Sequence, residues 1–230
     1  MVYRMVTSVH LADIRPAAAL RVLRRPPAVD EVPGLTYAET LALAPLGPAL
    51  LPKPKPGRVG LVAAWTDDAA LDAFLTDHPT AAALQGGYGA RLEPVRVVGA
   101  WPELGDLPRQ ERPAGDGPVA VLTLGRLRLR RALAFLRASA KAERDALASP
   151  AQLLATGLAR PPRLVATFSI WRDVPTMRDY VGRADGGHLG ATSTHAAAPF
   201  HHASAFIRFR LREQTGAWEA PHRATTRVLR

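Results

Sequence analysis

The apolar and polar positions of this chain alternate between two periods, and the changes of period mark out its elements. Val2 to Leu11 alternates in twos and predicts a strand. Arg15 to Arg25 follows a helical spacing, with Pro16 at the first helical position, where its missing N–H costs nothing. Pro26-Pro27 ends that helix, and Leu35 to Ala44 predicts a second, short helical piece. Pro45 to Gly57 holds five prolines and reads as a stiff extended connector. Val59 to Trp65 predicts a strand, and Asp67 caps a helix running to about Leu75. His78 to Gly89 is small and glycine-rich. Ala90 to Val98 predicts another strand, which Pro94 confines to a sheet edge or a bulge. Pro102 to Pro118 reads as a linker.

The second half begins with a strand from Val119. A long helix is predicted from Leu127 to about Leu147, carrying Leu129, Leu133, Leu136 and Ala140 on one face and Arg130, Arg137, Lys141 and Arg144 on another. Ser149-Pro150 predicts the start of a short helix, stopped by Pro161-Pro162. A strand from Arg163 to Trp171, an Asp173-capped helix and a Gly- and His-rich loop follow. In the final strand Ala205, Ile207, Phe209 and Leu211 face one way and Phe206, Arg208, Arg210 and Arg212 the other.

The two halves repeat one another. Arg58 to Trp65 lies over Leu164 to Trp171, Asp67 over Asp173, Leu71 over Met177 and Phe74 over Tyr180. Gly99-Ala100-Trp101 lies over Gly216-Ala217-Trp218, so the four tryptophans of the chain fall at matched points. Such an internal repeat decides the architecture. The chain is expected to be α+β, with tandem ferredoxin-like βαββαβ repeats forming an intrachain pseudo-symmetric barrel. The fourth strand of each repeat is expected in a loop region. The expected divisions are residues 1–104 and 119–218 for the halves, 105–118 for the linker and 219–230 for an irregular basic tail. Closure within one chain allows a monomer as well as a homodimer.

Composition narrows the chemistry. The absence of cysteine excludes disulfides, Fe–S clusters, thiolate-ligated haem and thiol catalysis. No apolar run is long enough to cross a bilayer, and the first residues lack the apolar core of a signal peptide, so a cytoplasmic protein is expected. The formal charge of +10 comes almost wholly from arginines spread along the chain rather than from basic blocks, and no nucleic-acid partner is expected. There is no G-x-S-x-G or Walker A motif, and Gly86-Gly87-Tyr88-Gly89 precedes a strand, where no helix dipole would meet a phosphate.

The run Ala166-Thr-Phe-Ser-Ile-Trp171, the Asp-capped helix, Gly186-Gly187-His188, Phe206-Ile-Arg-Phe-Arg210 and Gly216-Ala-Trp218 resemble the spheroidene monooxygenase family of carotenoid biosynthesis, within the dimeric α+β barrel superfamily. The resemblance implies a haem-dependent oxygenase acting on a large apolar polyene, with an electron donor such as ferredoxin and peripheral contact with a membrane. It assigns haem iron to His188, with His195, His201 and His202 as rivals and His78 as the counterpart of His188 in the first half. Arg208 and Arg210 would pair with haem propionates, since guanidinium forks suit carboxylates. Phe168, Trp171, Tyr180 and Phe206 would line the substrate pocket. The histidines taken alone also allow a zinc or non-haem iron site, although no carboxylate lies among them. Two other classes remain open: a cofactor-free barrel monooxygenase or isomerase using histidine as a base, and a barrel that binds a ligand without catalysis.

Overall fold

The computed structural model describes residues 5–46, 55–105, 107–109, 115–137, 152–182 and 200–218. The first half runs β1 (Val6–Asp13), α1 (Pro16–Arg24), β2 (Leu35–Ala44), β3 (Arg58–Trp65), α2 (Asp68–Asp77), α3 (Pro79–Leu84) and β4 (Tyr88–Gly99). The second runs β5 (Val119–Leu127), a 3-10 turn at Leu129–Arg131 continuing into α4 (residues 132–137), β6 (Gln152–Arg160), β7 (Leu164–Trp171), α5 (Val174–Gly182) and β8 (His201–Thr215). All eight strands pair antiparallel in one closed barrel, in the order β1-β3-β2-β6-β7-β5-β8-β4. Each half contributes the ferredoxin-like order, β4-β1-β3-β2 and β8-β5-β7-β6.

Two seams join the halves. The β4–β8 seam extends from Gly89 opposite Thr215 to Gly99 opposite Ala205, with bulges before Leu92 and after Pro94. The expected bulge at Pro94 is therefore present, and closure of the barrel leaves β4 no free edge. The β2–β6 seam is short, from Ala42 opposite Ala159 to Ala44 opposite Gly157. Closure satisfies the edges that would otherwise offer themselves to other chains.

The hidden fourth strand is the main correction to the sequence reading. Leu35–Ala44 and Gln152–Arg160, both expected as short helices, are β2 and β6. Their Leu- and Ala-rich composition favours helix, but each pairs with a strand on either side, β2 with β3 and β6 and β6 with β2 and β7, and that pairing outweighs local preference. The segment after His78, read as loop, contains α3. Of the long helix expected over Leu127 to Leu147, Leu127 instead ends β5 and Arg128 precedes the first turn, residues 129–137 are helical, and residues 138–147 lie outside the described residues.

Apolar side chains fill the barrel from both halves. Val9, Leu11, Leu41, Leu43, Val62 and Leu92 meet Leu122, Leu124, Leu158, Phe168, Ile207 and Phe209 there. A second apolar layer lies outside the barrel, between the first-half strands and α1–α3, and includes Val22, Leu61, Trp65, Leu71, Phe74 and Leu84. A third, smaller layer under α5 holds Val119, Val121, Trp171 and Met177. Among the described residues no helix is long and apolar enough to cross a membrane.

Candidate functional site on the outer face of the second half

The repeat allows the two outer faces to be compared residue by residue. In β3 the outward side chains Val59, Leu61, Ala63 and Trp65 are each 0% exposed beneath α1–α3. Their counterparts in β7 are Val165, Thr167, Ser169 and Trp171. Trp171 is buried, but Val165, Thr167 and Ser169 are half-buried. Ala166, Phe168 and Ile170 alternate with them and point into the barrel. Across the ladder, Thr123 and Gly125 of β5 stand opposite Thr167 and Val165, and Ser204 and Phe206 of β8 stand opposite Gly125 and Thr123. Among the described residues, the outer face of β7-β5-β8 is thus a shelf of mostly small, partly polar side chains around Phe206, with Trp171 at its edge, where the first half has a layer of mainly large apolar ones.

One end of this shelf is occupied by His201. A Cβ placed on Gly125 would come within 2.6 Å of its imidazole, so the absence of a side chain at 125 makes room for the ring. Phe135 of α4 meets His201 edge-on, with ring centroids 5.1 Å apart, and also contacts Phe200 at 6.1 Å. Arg128 fixes the start of β8 by donating from Nε to the His201 carbonyl at 3.2 Å. His202, one residue on, is exposed.

At the other end lie Arg208 and Arg210, two residues apart on the same face. Arg208 is 3% exposed, between Val121 of β5 and Arg96 of β4 on the neighbouring strands. Arg210 is half-buried and donates to Glu93 at 3.3 Å, so a carboxylate already stands beside it. Trp171 stacks on Tyr180 at 5.0 Å and donates from Nε1 to Ser169 Oγ at 3.0 Å.

The residues expected to share one substrate pocket are therefore divided by the sheet. Trp171, Tyr180 and Phe206 belong to the outer layer under α5, and Phe168 lies inside the barrel, 6.5 Å from the ring of Tyr88. His188 and His195 lie outside the described residues, in the sequence between α5 and β8. His78, the counterpart of His188, serves its own chain. Its Nδ1 accepts from the Thr80 N–H at 3.1 Å, capping α3, and its ring stacks on Phe74 at 4.7 Å. Burial holds its pKa below the usual histidine value, which suits a ring used as an acceptor. Among the described residues no group of three or more His, Asp or Glu could hold a metal ion.

The sequence reading missed Gly125 and the shelf. A glycine inside a strand signals a close approach by another group, and Gly125 was the available clue. The face carries small side chains at Thr123, Gly125, Thr167, Ser169 and Ser204, with Phe206 standing among them, the imidazole of His201 at one end and the buried guanidinium of Arg208 at the other.

No protein-family model matches the chain. It is similar to spheroidene monooxygenase of Rubrivivax gelatinosus, with 33% identity over 221 residues that cover 91% of this chain and 83% of that one. Among solved structures it is similar to an aldoxime dehydratase, with a TM-score of 0.53 and 11% identity over 90% of this chain and 81% of the other. A second aldoxime dehydratase, in complex with butyraldoxime, gives a TM-score of 0.52 at 12% identity over 91% and 80%. At those identities the structural likeness shows the fold alone. The sequence match over nearly the whole chain is of a different order, and by it the chain belongs to the spheroidene monooxygenase family.

Proposed function

We propose that this protein is a haem-dependent monooxygenase that adds oxygen to a large apolar, carotenoid-like substrate, and that the haem is held on the outer face of the second half. The observation that carries this reading is the contrast between Leu61 and Ala63, fully buried, and their counterparts Thr167 and Ser169, half-buried on an otherwise equivalent strand. Among the described residues, Thr167 and Ser169 on the second-half face are more polar and more exposed than their first-half counterparts, which supports a bound group on that face.

A histidine would hold the haem iron, His188 by the family resemblance, with His195, His201 and His202 as the alternatives; neutral imidazole is the natural ligand in a chain without cysteine. Arg208 would meet a propionate carboxylate, and Arg210 would do so only in exchange for Glu93. When bound, haem would supply the activation of oxygen. The chain's own part is to orient and to keep dry. Phe135 and Phe206 offer apolar surface beside the shelf, and Phe135 and Phe200 hold the ring of His201 over Gly125. Electrons would come from a separate donor such as a ferredoxin.

The test is an absorption spectrum of the purified full chain after haem reconstitution, alongside His188→Ala and His201→Ala. The expected result is a stoichiometric Soret band that weakens or shifts in one of the two variants, which identifies the ligand. A band unchanged in both would move the ligand to His195 or His202. Absence of specific haem uptake would overturn the reading and leave a cofactor-free oxygenase as the hypothesis to test next.

A further inference from the structure

We infer that residues 128–137, the turn and helix that cover the start of β8, form a docking surface for an anionic lipid bilayer. The segment has two unlike sides. Phe135 points inward onto Phe200 and His201, and Arg128 is tied to the His201 carbonyl, so the segment is anchored to the barrel. Leu129 and Leu133, four residues apart and so on one side of a helical path, are 47% and 54% exposed. Among the described residues they are two of the seven large apolar side chains left exposed. Exposed Arg130 and Arg137 and half-buried Arg131 accompany them, and no acidic residue occurs from Leu127 to Arg137.

Leucines interleaved with arginines on an outward helical face match the interface of a bilayer, with the leucines entering the acyl boundary and the guanidinium groups meeting lipid phosphates. Charge complementarity selects an anionic lipid surface. Nucleic acid would use the arginines but gives the two exposed leucines no role, whereas a bilayer uses both. The overall charge of +10 adds a longer-range attraction toward such a surface. The inference does not depend on the oxygenase reading, because it rests on residues outside the shelf and is measured without activity.

The experiment is co-sedimentation of the full chain with vesicles of phosphatidylcholine alone and with vesicles that also contain phosphatidylglycerol. Binding is expected to the anionic vesicles and to be weak on the neutral ones. Leu129→Ser/Leu133→Ser is expected to reduce the partition coefficient roughly tenfold or more through lost apolar insertion. Arg130→Gln/Arg137→Gln is expected to reduce it about tenfold through lost attraction to lipid phosphates. Arg21→Gln/Arg24→Gln, which removes the same charge from exposed positions of α1, is expected to leave it nearly unchanged. The inference is overturned if the anionic vesicles do not retain the protein, if the leucine variant binds like the parent, or if the α1 variant loses as much as the Arg130/Arg137 variant. Retention on a single-stranded oligonucleotide in place of vesicles would assign the surface to nucleic acid instead.

Discussion

Trp65 and Trp171 occupy the same post in the two halves of the barrel. Each ends the third strand of its repeat, each stands opposite the valine that begins the first strand, Val6 or Val119, and each packs on an aromatic ring of the following helix, Phe74 at 4.8 Å or Tyr180 at 5.0 Å. Both indoles donate to a serine hydroxyl, but to different ones: Trp65 reaches Ser8 on the neighbouring strand at 2.9 Å, and Trp171 reaches Ser169 on its own strand. The first tryptophan thus ties two strands together under a helical layer, and the second bonds within its own strand, in a layer that among the described residues includes Val119, Val121 and Met177. Trp65→Ala is expected to cost about 3–5 kcal/mol, the usual range for removing a buried aromatic, and Trp171→Ala less, because its indole hydrogen bond joins no second strand. Urea midpoints of the two variants give the comparison; equal losses would contradict a role for the cross-strand bond.

Acid should destabilise the fold through His10. Its Nε2 is enclosed without a hydrogen-bond partner, and burial, reinforced by the charge of Arg91, lowers its pKa from the ordinary 6.5 to about 4. The unfolded chain therefore takes up a proton near pH 6.5 while the folded one does not until about pH 4. His10 contributes stability that is fully present above pH 6.5 and is lost as the pH falls toward 4, since stability rises with pH wherever the unfolded state binds more protons. His10→Phe is expected to flatten this part of the stability curve. Urea unfolding of both proteins across this range tests it, and parallel curves would show that another group carries the slope.

Two glycines close the two ends of the barrel. Gly99 and Gly216 have φ values of 87° and 67°, and a Cβ on either would meet a backbone carbonyl, Ser204 O at 2.3 Å or Gly87 O at 2.0 Å. They turn the chain so that Trp101 and Trp218 fold back against the barrel, under Arg126 at 4.5 Å and Arg58 at 5.1 Å. Because backbone atoms cannot move aside as a side chain can, Gly99→Ala and Gly216→Ala are each expected to cost at least about 1–3 kcal/mol. A thermal melt of either variant that matches the parent would refute the close approach.

The repeat, the caps and the alternation of β8 were legible because each is a local pattern. Asp67 and Asp173 accept from Ala70 and Thr176 N–H groups at 2.9 and 2.8 Å, as their positions before apolar helices required. β2 and β6 were not legible, since runs such as Ala-Glu-Thr-Leu-Ala-Leu suit a helix and become strands only when paired on both sides. The division of the aromatic residues could have been read. Phe168 and Trp171 are an odd number of residues apart on one strand, which puts them on opposite faces. Phe206, next to inward-facing Ile207, has the opposite parity in the same way. The meeting of Gly125 with His201 could not have been read, because it depends on the register between β5 and β8 and on the bulge at its end.

That meeting gives the sharpest test of the shelf. The ring of His201 occupies the space where a side chain at 125 would sit, so Gly125→Ala must displace the imidazole while leaving the barrel ladder intact. The displaced group is a side chain rather than backbone, and the φ of Gly125 is not in the left-handed region, so the cost in stability should be small, about 1 kcal/mol or less in the urea midpoint. The effect on the site should be larger. If His201 borders the cofactor, the Soret band of the reconstituted protein shifts or weakens in Gly125→Ala, and Gly117→Ala, whose added Cβ would meet nothing within 4 Å, does not reproduce the change. A spectrum identical to the parent's, with the same fold by circular dichroism, would place haem away from this end of the shelf and leave His201 the role of packing against Phe135.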